Sequence, residues 1–542
     1  MGRGRKAIAG WGLAILATGS VLVPATSTAA GTSPAQTNTS APARSSAMAP
    51  AKSSAGSKVV WGACPADTTA KFPAAPMECA KVPVPLDYAK PGGATIDIMV
   101  SRVASINPAR RGVLLTNPGG PGGEGLSMPA ELVTLGIPGS VLDSYDLVGM
   151  DPRGVGHSAP VSCGFTSDQA YAGNVPPYPA NAAAVTQWAT VVKGVSDQCA
   201  ANDHDGRLRF MSTANTARDM DTIRAALGEE KLSYFGGSYG TALGATYASL
   251  FPERTDRIVL DSNSGSTVLT RESQLRFGLG AEQRFPDFAK FAAARSTAYG
   301  LGRTPTEVRR NFLAFAKQLE TKPVLGYDGA TFRITVFASL YADHDFPHAA
   351  QLWQGLKSFT PTGQKPGAST LPAPKALAAD PVLGARPAAA PTTQSAGTPS
   401  PYDNAISAYL AVVCNDSAWP RDLATYQRDV KDARQRYPLF GAAGANINPC
   451  AFWPHAPSEP PATISTKGPA NILILQNLRD PATPHVGGVL LRKAFGDRSR
   501  LVSVDQGGHG AYVYGGNACV LNVATAFLVD GKRPKHDLRC AS

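Results

Sequence analysis

A single serine stands between glycines in the stretch YFGGSYGT, residues 234–241. An apolar run precedes it and a segment of helical character follows it, so Ser238 would lie where a strand turns sharply into a helix. Side chains two residues to either side would collide at such a turn, which accounts for Gly236 and Gly240. This is the G-x-S-x-G pattern of a nucleophile elbow, and it indicates that Ser238 attacks a carbonyl carbon.

A serine hydroxyl is a poor nucleophile until an imidazole takes its proton, and that imidazole needs a carboxylate to fix its tautomer. Asp480 in LRDPATP and His509 in QGGHGAY follow late apolar segments and would supply both groups. With Ser238 they give the chain order Ser, Asp, His of α/β-hydrolases. Two alternatives stay open. Asp261 ends the strand after the elbow helix, and His485 lies shortly after Asp480.

The oxyanion formed in acyl transfer needs backbone N–H donors, and glycines allow such donors to come close. The glycine-rich loop NPGGPGG, residues 117–123, follows an early predicted strand. We expect the Tyr239 N–H to be one donor and the Gly120 N–H the other, with Gly119 as the alternative for the second. The loop lacks the continuations typical of phosphate-binding loops, so acyl transfer is the favoured chemistry.

Apolar strands alternate with helical segments on both sides of the elbow. The predicted strands are ATIDIMVSRV, RGVLLTN, YDLVGMD, KLSYFG and RIVLD, and the predicted helices are TANTARDMDTIRAALG and TALGATYASLF. This alternation predicts an α/β fold with a mainly parallel sheet that has helices on both faces. Since the carboxyl ends of parallel strands meet at one edge, the loops that carry Ser238, Asp480 and His509 would lie together.

The pattern changes between residues 266 and 405, which favour helices such as TPTEVRRNFLAFAKQLE. Residues 360–401 are rich in Pro, Ala, Gly and Thr and are expected to form a mobile loop. Strand-like segments return at NILILQN and RLVSVD, before the predicted helix CVLNVATAFLVDG. We therefore expect one α/β core, formed by residues 59–265 and 406–542, with the mostly helical segment 266–405 inserted in it.

The chain has 542 residues, 43% of them hydrophobic, and a formal charge of +11. Residues 1–58 hold six basic and no acidic residues, so the remainder carries only +5. That small charge gives no support for nucleic-acid binding. Residues 1–30 combine MGRGRK, an apolar stretch and small residues, the pattern of a cleaved signal peptide. A membrane anchor is the alternative, but the apolar stretch is interrupted and short for a span. Residues 31–58 would be a disordered pro-segment or spacer.

Eight cysteines follow this leader, and an even number behind a signal peptide is typical of disulfides in a secreted protein. Short loops close most easily. The favoured pairs are therefore Cys64–Cys79, Cys163–Cys199, Cys414–Cys450 and Cys519–Cys540. The cysteine spacings do not resemble a zinc site, and no metal or other cofactor is expected. We expect an extracellular monomer without a nucleic-acid or membrane partner once the signal peptide is removed.

Several longer motifs point to one family. NPGGPGGEG, YDLVGMDPRGVGHSAPVSC, NTARDMDTIRAALGEEKLSYFGGSYGT, VVCNDSAWP, RDPATP and a late GGHG together resemble the secreted tripeptidyl aminopeptidases. Those are prolyl-aminopeptidase-like serine peptidases of the α/β-hydrolase fold. The resemblance implies that Ser238, Asp480 and His509 form the triad and that residues 266–405 are a cap over the site. It also implies that tripeptides are released from peptide substrates with free N-termini.

The triad hydrolyses esters and amides alike, so the substrate class depends on other residues. An exopeptidase must bind the charged α-amine of its substrate, and a buried carboxylate suits this because an unpaired ammonium in a closed pocket is costly. Glu282, in an inserted helix with an apolar face, is the first candidate, and Glu124 in GPGGEG is the second. The alternative function is a secreted carboxylesterase that acts on small acyl esters.

Overall fold

The computed structural model describes residues 59–359 and 399–542, apart from residues 167, 170, 172 and 174. The predicted leader and spacer, and nearly all of the Pro/Ala-rich segment 360–401, lie outside the described residues. No helix in the described ranges is long and apolar enough to cross a bilayer.

One sheet runs through the described part of the chain. Its strands are β1 (Gly62–Ala63), β2 (Met77–Pro85), β3 (Thr95–Val103), β4 (Gly112–Asn117), β5 (Tyr145–Met150), β6 (Leu232–Gly237), β7 (Thr255–Asp261), β8 (Ile472–Arg479), β9 (Ser499–Gly507) and β10 (Leu538–Cys540). Their order is β1-β2-β3-β5-β4-β6-β7-β8-β9-β10.

The sheet is mainly parallel. From β5 through β4 and β6 to β10 every neighbouring pair of strands is parallel, whereas β1, β2 and β3 add an antiparallel edge next to β5. Strands β4, β5 and β6 are buried along their whole length, as expected for strands covered on both faces. The loops after β4, β6, β8 and β9 leave the same edge of the sheet, where chemistry is expected.

Helices cover both faces of the sheet. Those before the insertion are α1 (Ala66–Thr69), α2 (Met128–Thr134), α3 (Gly139–Ser144), α4 (Ala182–Asn202), α5 (Thr213–Ala226) and α6 (Tyr239–Leu250). The helices between residues 266 and 359 are α7 (Arg271–Ala293), α8 (Ser296–Tyr299), α9 (Pro305–Leu319), α10 (Gly329–Ala338) and α11 (Phe346–Ser358). The later helices are α12 (Pro401–Asp416), α13 (Leu423–Arg436), α14 (Gly441–Gly444), α15 (Val486–Phe495) and α16 (Ala518–Asp530). Helices α2, α3 and α16 share a hydrophobic core on one face of the sheet.

The other face carries a larger core that continues into helices α7 to α11, here called the inserted helices. Aromatic rings fill their centre: the Phe285 and Phe312 centroids lie 5.0 Å apart, and Phe312 also packs edge-on against Trp353. Helix α7 begins at a capping box formed by Thr270 and Ser273, which satisfies the free N–H groups of its first turn. The inserted helices therefore pack on the sheet domain through one continuous apolar core.

Four disulfides are present in the described chain, and they join the pairs favoured by loop length. They are Cys64–Cys79, Cys163–Cys199, Cys414–Cys450 and Cys519–Cys540. Such bonds are typical of proteins that fold in an oxidising compartment.

Candidate active site

Ser238 lies on the sharp turn between β6 and α6. Its backbone has φ 54° and ψ −122°, a left-handed conformation that is strained for a residue with a side chain. A Cβ on Gly236 would lie 2.5 Å from the Gly240 carbonyl oxygen, and one on Gly240 would lie 2.7 Å from the Asn117 oxygen. Both flanking positions must therefore be glycine, which explains the pattern in the sequence.

The glycine-rich loop after β4 packs directly against this turn. A Cβ on Gly119 would lie 2.6 Å from the Gly237 oxygen and 3.0 Å from the Ser238 Cβ. The Gly119 N–H donates to the Asn117 side chain at 3.0 Å, so it is already engaged. Gly120 lines the same pocket as Ser238 and Tyr239. This geometry favours Gly120 over Gly119 as the second oxyanion donor, beside the N–H at the start of α6.

Asp480 and His509 form a buried pair. His509 Nδ1 lies 2.9 and 3.0 Å from the two carboxylate oxygens of Asp480, and the aspartate is fully buried. The Asp480 carboxylate also accepts the Ala482 and Thr483 N–H groups and the Thr483 hydroxyl, at 2.8–2.9 Å. With Nδ1 held by Asp480, the ring must accept a proton through Nε2. That atom is buried and has no hydrogen-bond partner among the described residues.

The loop of His509 is fixed by side chains that lie outside the predicted site. Asn477 donates to the carbonyls on either side of the histidine, Gly508 at 3.0 Å and Gly510 at 2.9 Å. The Ser262 hydroxyl accepts the Gly510 N–H at 2.8 Å. Hydrogen bonds from two neighbouring strand ends therefore hold the loop and orient His509.

The alternative acid, Asp261, makes no hydrogen bond to the His509 ring in the described structure. Its carboxylate accepts the N–H groups of Ala511 and Tyr512 at 2.8–3.0 Å. Burial raises the pKa of Asp261 to about 6, although those two N–H donors oppose the shift. The alternative base, His485, is at the start of α15, and its Nε2 lies 2.8 Å from the Ser503 hydroxyl. Burial lowers the pKa of His485. Neither alternative is placed to act on Ser238.

A pocket of about 710 Å³, including its opening to solvent, lies above Ser238. Gly120, Ser238 and Tyr239 form its floor, and residues of α7 form part of its wall. Among the described residues that line it there is no Asp or Glu. Arg276 is the one charged side chain among these described lining residues.

Neither carboxylate expected to bind the substrate amine lies in this pocket. Glu282 pairs with Arg309 at 2.6 Å and accepts the Leu439 N–H at 3.0 Å, so both its oxygens are used within the surrounding helices. Glu124 pairs with Lys71 at the surface. The expectation for Glu282 came from its helix alone, whereas its orientation depends on an arginine of a different helix.

The sequence also left several supporting residues unassigned. Asn477 stands in the polar end of the otherwise apolar strand β8, and this is the signal that could have marked it. Thr483 completes the acid loop, where its hydroxyl lies 2.9 Å from Asp480 and 3.3 Å from His509 Nδ1. Arg276 gave no local signal, because one arginine in an amphipathic helix is usually solvated.

Comparison with known proteins gives four findings. A family profile described as TAP-like protein matches residues 437–540. A tripeptidyl aminopeptidase from Streptomyces lividans is 34% identical over 494 residues, which cover 90% of this chain and 87% of that protein. Serine protease Hip1 from Mycobacterium tuberculosis is 28% identical over 503 residues, covering 90% and 91% of the two chains. A protein named carboxylesterase B from the same organism is 28% identical over 477 residues, covering 85% and 86%.

Proposed function

This chain belongs to the tripeptidyl aminopeptidase family of serine peptidases with the α/β-hydrolase fold, and we propose that it is a secreted exopeptidase that releases tripeptides or short peptides from free N-termini. The observation that carries the proposal is the buried Asp480–His509 pair, which shares one edge of the sheet with Ser238 on its elbow. The basic and apolar leader and the four disulfides support secretion. The inserted helices, within residues 266–405, act as a cap over the pocket.

In the proposed reaction His509 Nε2 takes the proton from the Ser238 hydroxyl as the oxygen attacks the scissile carbonyl. Asp480 holds the ring in the tautomer with hydrogen on Nδ1 and stabilises the imidazolium. The N–H groups of Tyr239 and Gly120 donate to the oxyanion. His509 then gives the proton to the leaving amine, which departs with the C-terminal part of the peptide. Water attacks the acyl-enzyme by the same path, and the N-terminal fragment leaves.

Recognition of the free amine falls to neutral acceptors, since no carboxylate lines the pocket in the described chain. Asn263 is the best placed of these. It lines the pocket, and its Oδ1 is buried without a hydrogen-bond partner in the described structure. Its Nδ2 donates to the Leu260 and Leu475 carbonyls, which fixes the amide with Oδ1 free. We propose that Asn263 Oδ1 accepts a hydrogen bond from the substrate ammonium, which requires the substrate to displace the groups that cover this buried oxygen.

Three substrates test the proposal: a tripeptide p-nitroanilide with a free amine, its N-acetylated form and a p-nitrophenyl ester of a short acid. A hydrogen bond to a charged group contributes about 1.5–3 kcal/mol, so acetylation is expected to lower kcat/KM about 10- to 100-fold. Ser238→Ala serves as the blank for all three. If free and acetylated peptides are cut equally well, the enzyme is no aminopeptidase.

The second candidate function is a secreted carboxylesterase acting on small acyl esters. Two observations favour it: the relative named carboxylesterase B and the absence of a carboxylate from the pocket lining of the described chain. In the same assay a carboxylesterase would hydrolyse the ester and leave both anilides intact.

A further inference from the structure

Arg276 lines the pocket of the proposed nucleophile and has no carboxylate partner in the part of the chain that the structure describes. It lies in the second turn of α7 and lines the pocket together with Ser238. Its Nη1 donates to the Ser264 carbonyl at 2.6 Å, and that contact fixes the side chain against the loop after β7. Its other nitrogens have no hydrogen-bond or ion-pair partner in the described part of the chain.

The other buried or half-buried arginines of the inserted helices are paired with acids in the described structure. Arg284 pairs with Asp287 and Asp343, and Arg309 pairs with Glu282. Glu272, one turn before Arg276 on the same helix, is exposed and acts on the guanidinium only at longer range. Among the arginines of these helices that are not exposed, Arg276 therefore stands apart, because no acid pairs with it in the described chain.

The environment of Arg276 raises the cost of leaving it unpaired. The side chain is partly buried, and this burial lowers the pKa of the guanidinium, which nevertheless stays charged because arginine titrates so high. Neutral and apolar residues surround it in the lining, including Leu269, Ser273 and Phe277. A partly desolvated cation gains most from an anion that arrives with the ligand, and a planar guanidinium suits a carboxylate best.

We propose that Arg276 binds a carboxylate of the substrate, so that the enzyme prefers peptides that bring an acidic group close to the scissile bond. The inference rests on the proposed function, since it takes this pocket as the place where peptides are cleaved. The carboxylate can come from two sources, an Asp or Glu side chain or the terminal carboxylate of a short peptide. In both cases Nη1 keeps its bond to Ser264, and the remaining guanidinium N–H groups donate to the substrate.

Two peptide series separate the sources. The first consists of hexapeptides with a free N-terminus and an amidated C-terminus, each with Glu or Gln at one position in turn. The second consists of alanine-based tetra-, penta- and hexapeptides with a free or an amidated C-terminus. Each carboxylate peptide is compared with its neutral twin, the otherwise identical peptide with Gln in place of Glu or with an amidated C-terminus. At one position, or at one peptide length, the carboxylate form is expected to exceed its neutral twin at least tenfold in kcat/KM.

Variants assign this preference to the guanidinium. In Arg276→Met the ratio between the acidic and neutral twins is expected to fall to about one, and Arg276→Lys is expected to keep part of it. Arg276→Glu should favour a peptide with Lys at the same position. Arg310→Met is the matched control, because it removes an exposed cation of α9 and is expected to leave the ratio unchanged.

The outcomes are distinct. Peptide cleavage with twin ratios near one at every position and length would overturn the role of Arg276 and leave the proposed function standing. A preference that survives in Arg276→Met with an unchanged Tm would do the same. Ester hydrolysis without any peptide cleavage would overturn the proposed function and this inference together. If Arg276→Met does not fold, the ratios in Arg276→Lys and Arg276→Glu decide, since both keep a long side chain.

Discussion

Two buried aspartates lie near His509 and have different tasks. Asp480 contacts the imidazole of His509, whereas Asp261 accepts hydrogen bonds from the backbone of Ala511 and Tyr512, which follow His509 in the chain. Both side chains are fully buried, so burial alone does not distinguish them. The two differ in the groups that their carboxylate oxygens contact. Substitution by asparagine is therefore expected to affect catalysis at Asp480 and stability at Asp261.

Asp480→Asn is expected to lower kcat by about four orders of magnitude, because the amide no longer fixes the tautomer and charge of His509. Asp261→Asn should cost far less in kcat and more in stability, since it weakens the support of Ala511 and Tyr512. Steady-state kinetics together with Tm measurements on both variants test this. A larger kcat loss in Asp261→Asn at equal stability would reverse the assignment of the acid.

A third buried carboxylate lies under the elbow. Asp416, at the end of α12, accepts hydrogen bonds from the N–H and the hydroxyl of Thr213 at the start of α5. The Thr213 hydroxyl lies 2.7 Å from the Tyr239 hydroxyl, so the chain of contacts reaches the residue next to Ser238. Burial raises the pKa of Asp416 to about 7.

This shift predicts a pH dependence of stability. An unfolded aspartate titrates near pH 3.9, so between about pH 4 and 7 the folded protein keeps a proton that the unfolded chain releases. The retained proton of Asp416 therefore contributes to the free energy of unfolding. This contribution is fully present below pH 4 and is lost as pH rises to 7, on the order of 4 kcal/mol in all. Asp416→Asn removes this dependence. In urea unfolding from pH 4 to 8, the stability of the variant relative to the wild type is expected to rise with pH. A constant difference would contradict the assignment.

Ser238, Asp480 and His509 could be proposed as a triad from the sequence because each stands in a short local motif after a strand. The spacing of Gly236 and Gly240 around Ser238 already indicates a turn too tight for side chains. The amine anchors could not be predicted in this way. Glu282 is turned toward Arg309, and that ion pair joins two helices whose packing no local pattern encodes. Asn477 and Arg276 acquire their roles only when distant loops meet.

At the scale of elements, helix α7 determines how the inserted helices meet the loops that carry Asp480 and His509. A Cβ on Gly280 would lie 2.1 Å from the Pro481 carbonyl oxygen and 2.9 Å from that of Asp480. The helix therefore packs directly on the acid loop. Tyr341, after α10, accepts the His509 N–H at 2.9 Å, so the insertion also contacts the base loop.

Gly280→Ala is expected to displace α7 from the acid loop, which should lower kcat/KM at least tenfold and reduce Tm. Gly194→Ala in α4 is the matched control, because that helical glycine has open space around its Cα. There alanine should stabilise the protein by about 0.5–1 kcal/mol without affecting activity. Equal effects of the two substitutions would show that the contact between α7 and the acid loop is unimportant.

The bounds of the strands likewise could be predicted where a local pattern defines the strand, and not where pairing with distant strands decides. The predicted strand at residues 145–151 and the observed β5 (Tyr145–Met150) differ by one residue, because a continuous apolar run defines it. Strand β2 was not predicted, since Pro83 and Pro85 are unusual in a strand. They are accommodated because β1 pairs only with Cys79 and Glu78, which leaves the β2 edge beside the prolines free of β1.

At the scale of the whole molecule, disulfides fasten peripheral segments to the core. Cys519–Cys540 joins α16 to the edge strand β10, and Cys414–Cys450 fastens the end of α12. The described chain has no free cysteine. All eight cysteines of the sequence lie in the described ranges, so the full set is paired.

Thiol titration of the denatured, unreduced protein is therefore expected to find essentially no reactive sulfhydryl. After reduction the same titration should find all eight. The protein must be prepared from an export pathway for this measurement, because a reducing cytosol would keep the thiols free. Two or more thiols in the unreduced secreted protein would contradict the pairing.

The central claim is that Ser238 forms the covalent acyl-enzyme, and the most direct measurement is the mass of the protein after reaction with diisopropyl fluorophosphate. The serine oxygen displaces fluoride from phosphorus, so one stable adduct is expected, and peptide mapping should locate it at Ser238. Ser238→Ala should gain no mass, and His509→Ala should react far more slowly because its serine lacks a base. An adduct at another residue, or an unmodified Ser238 in a protein that hydrolyses peptides, would contradict the account.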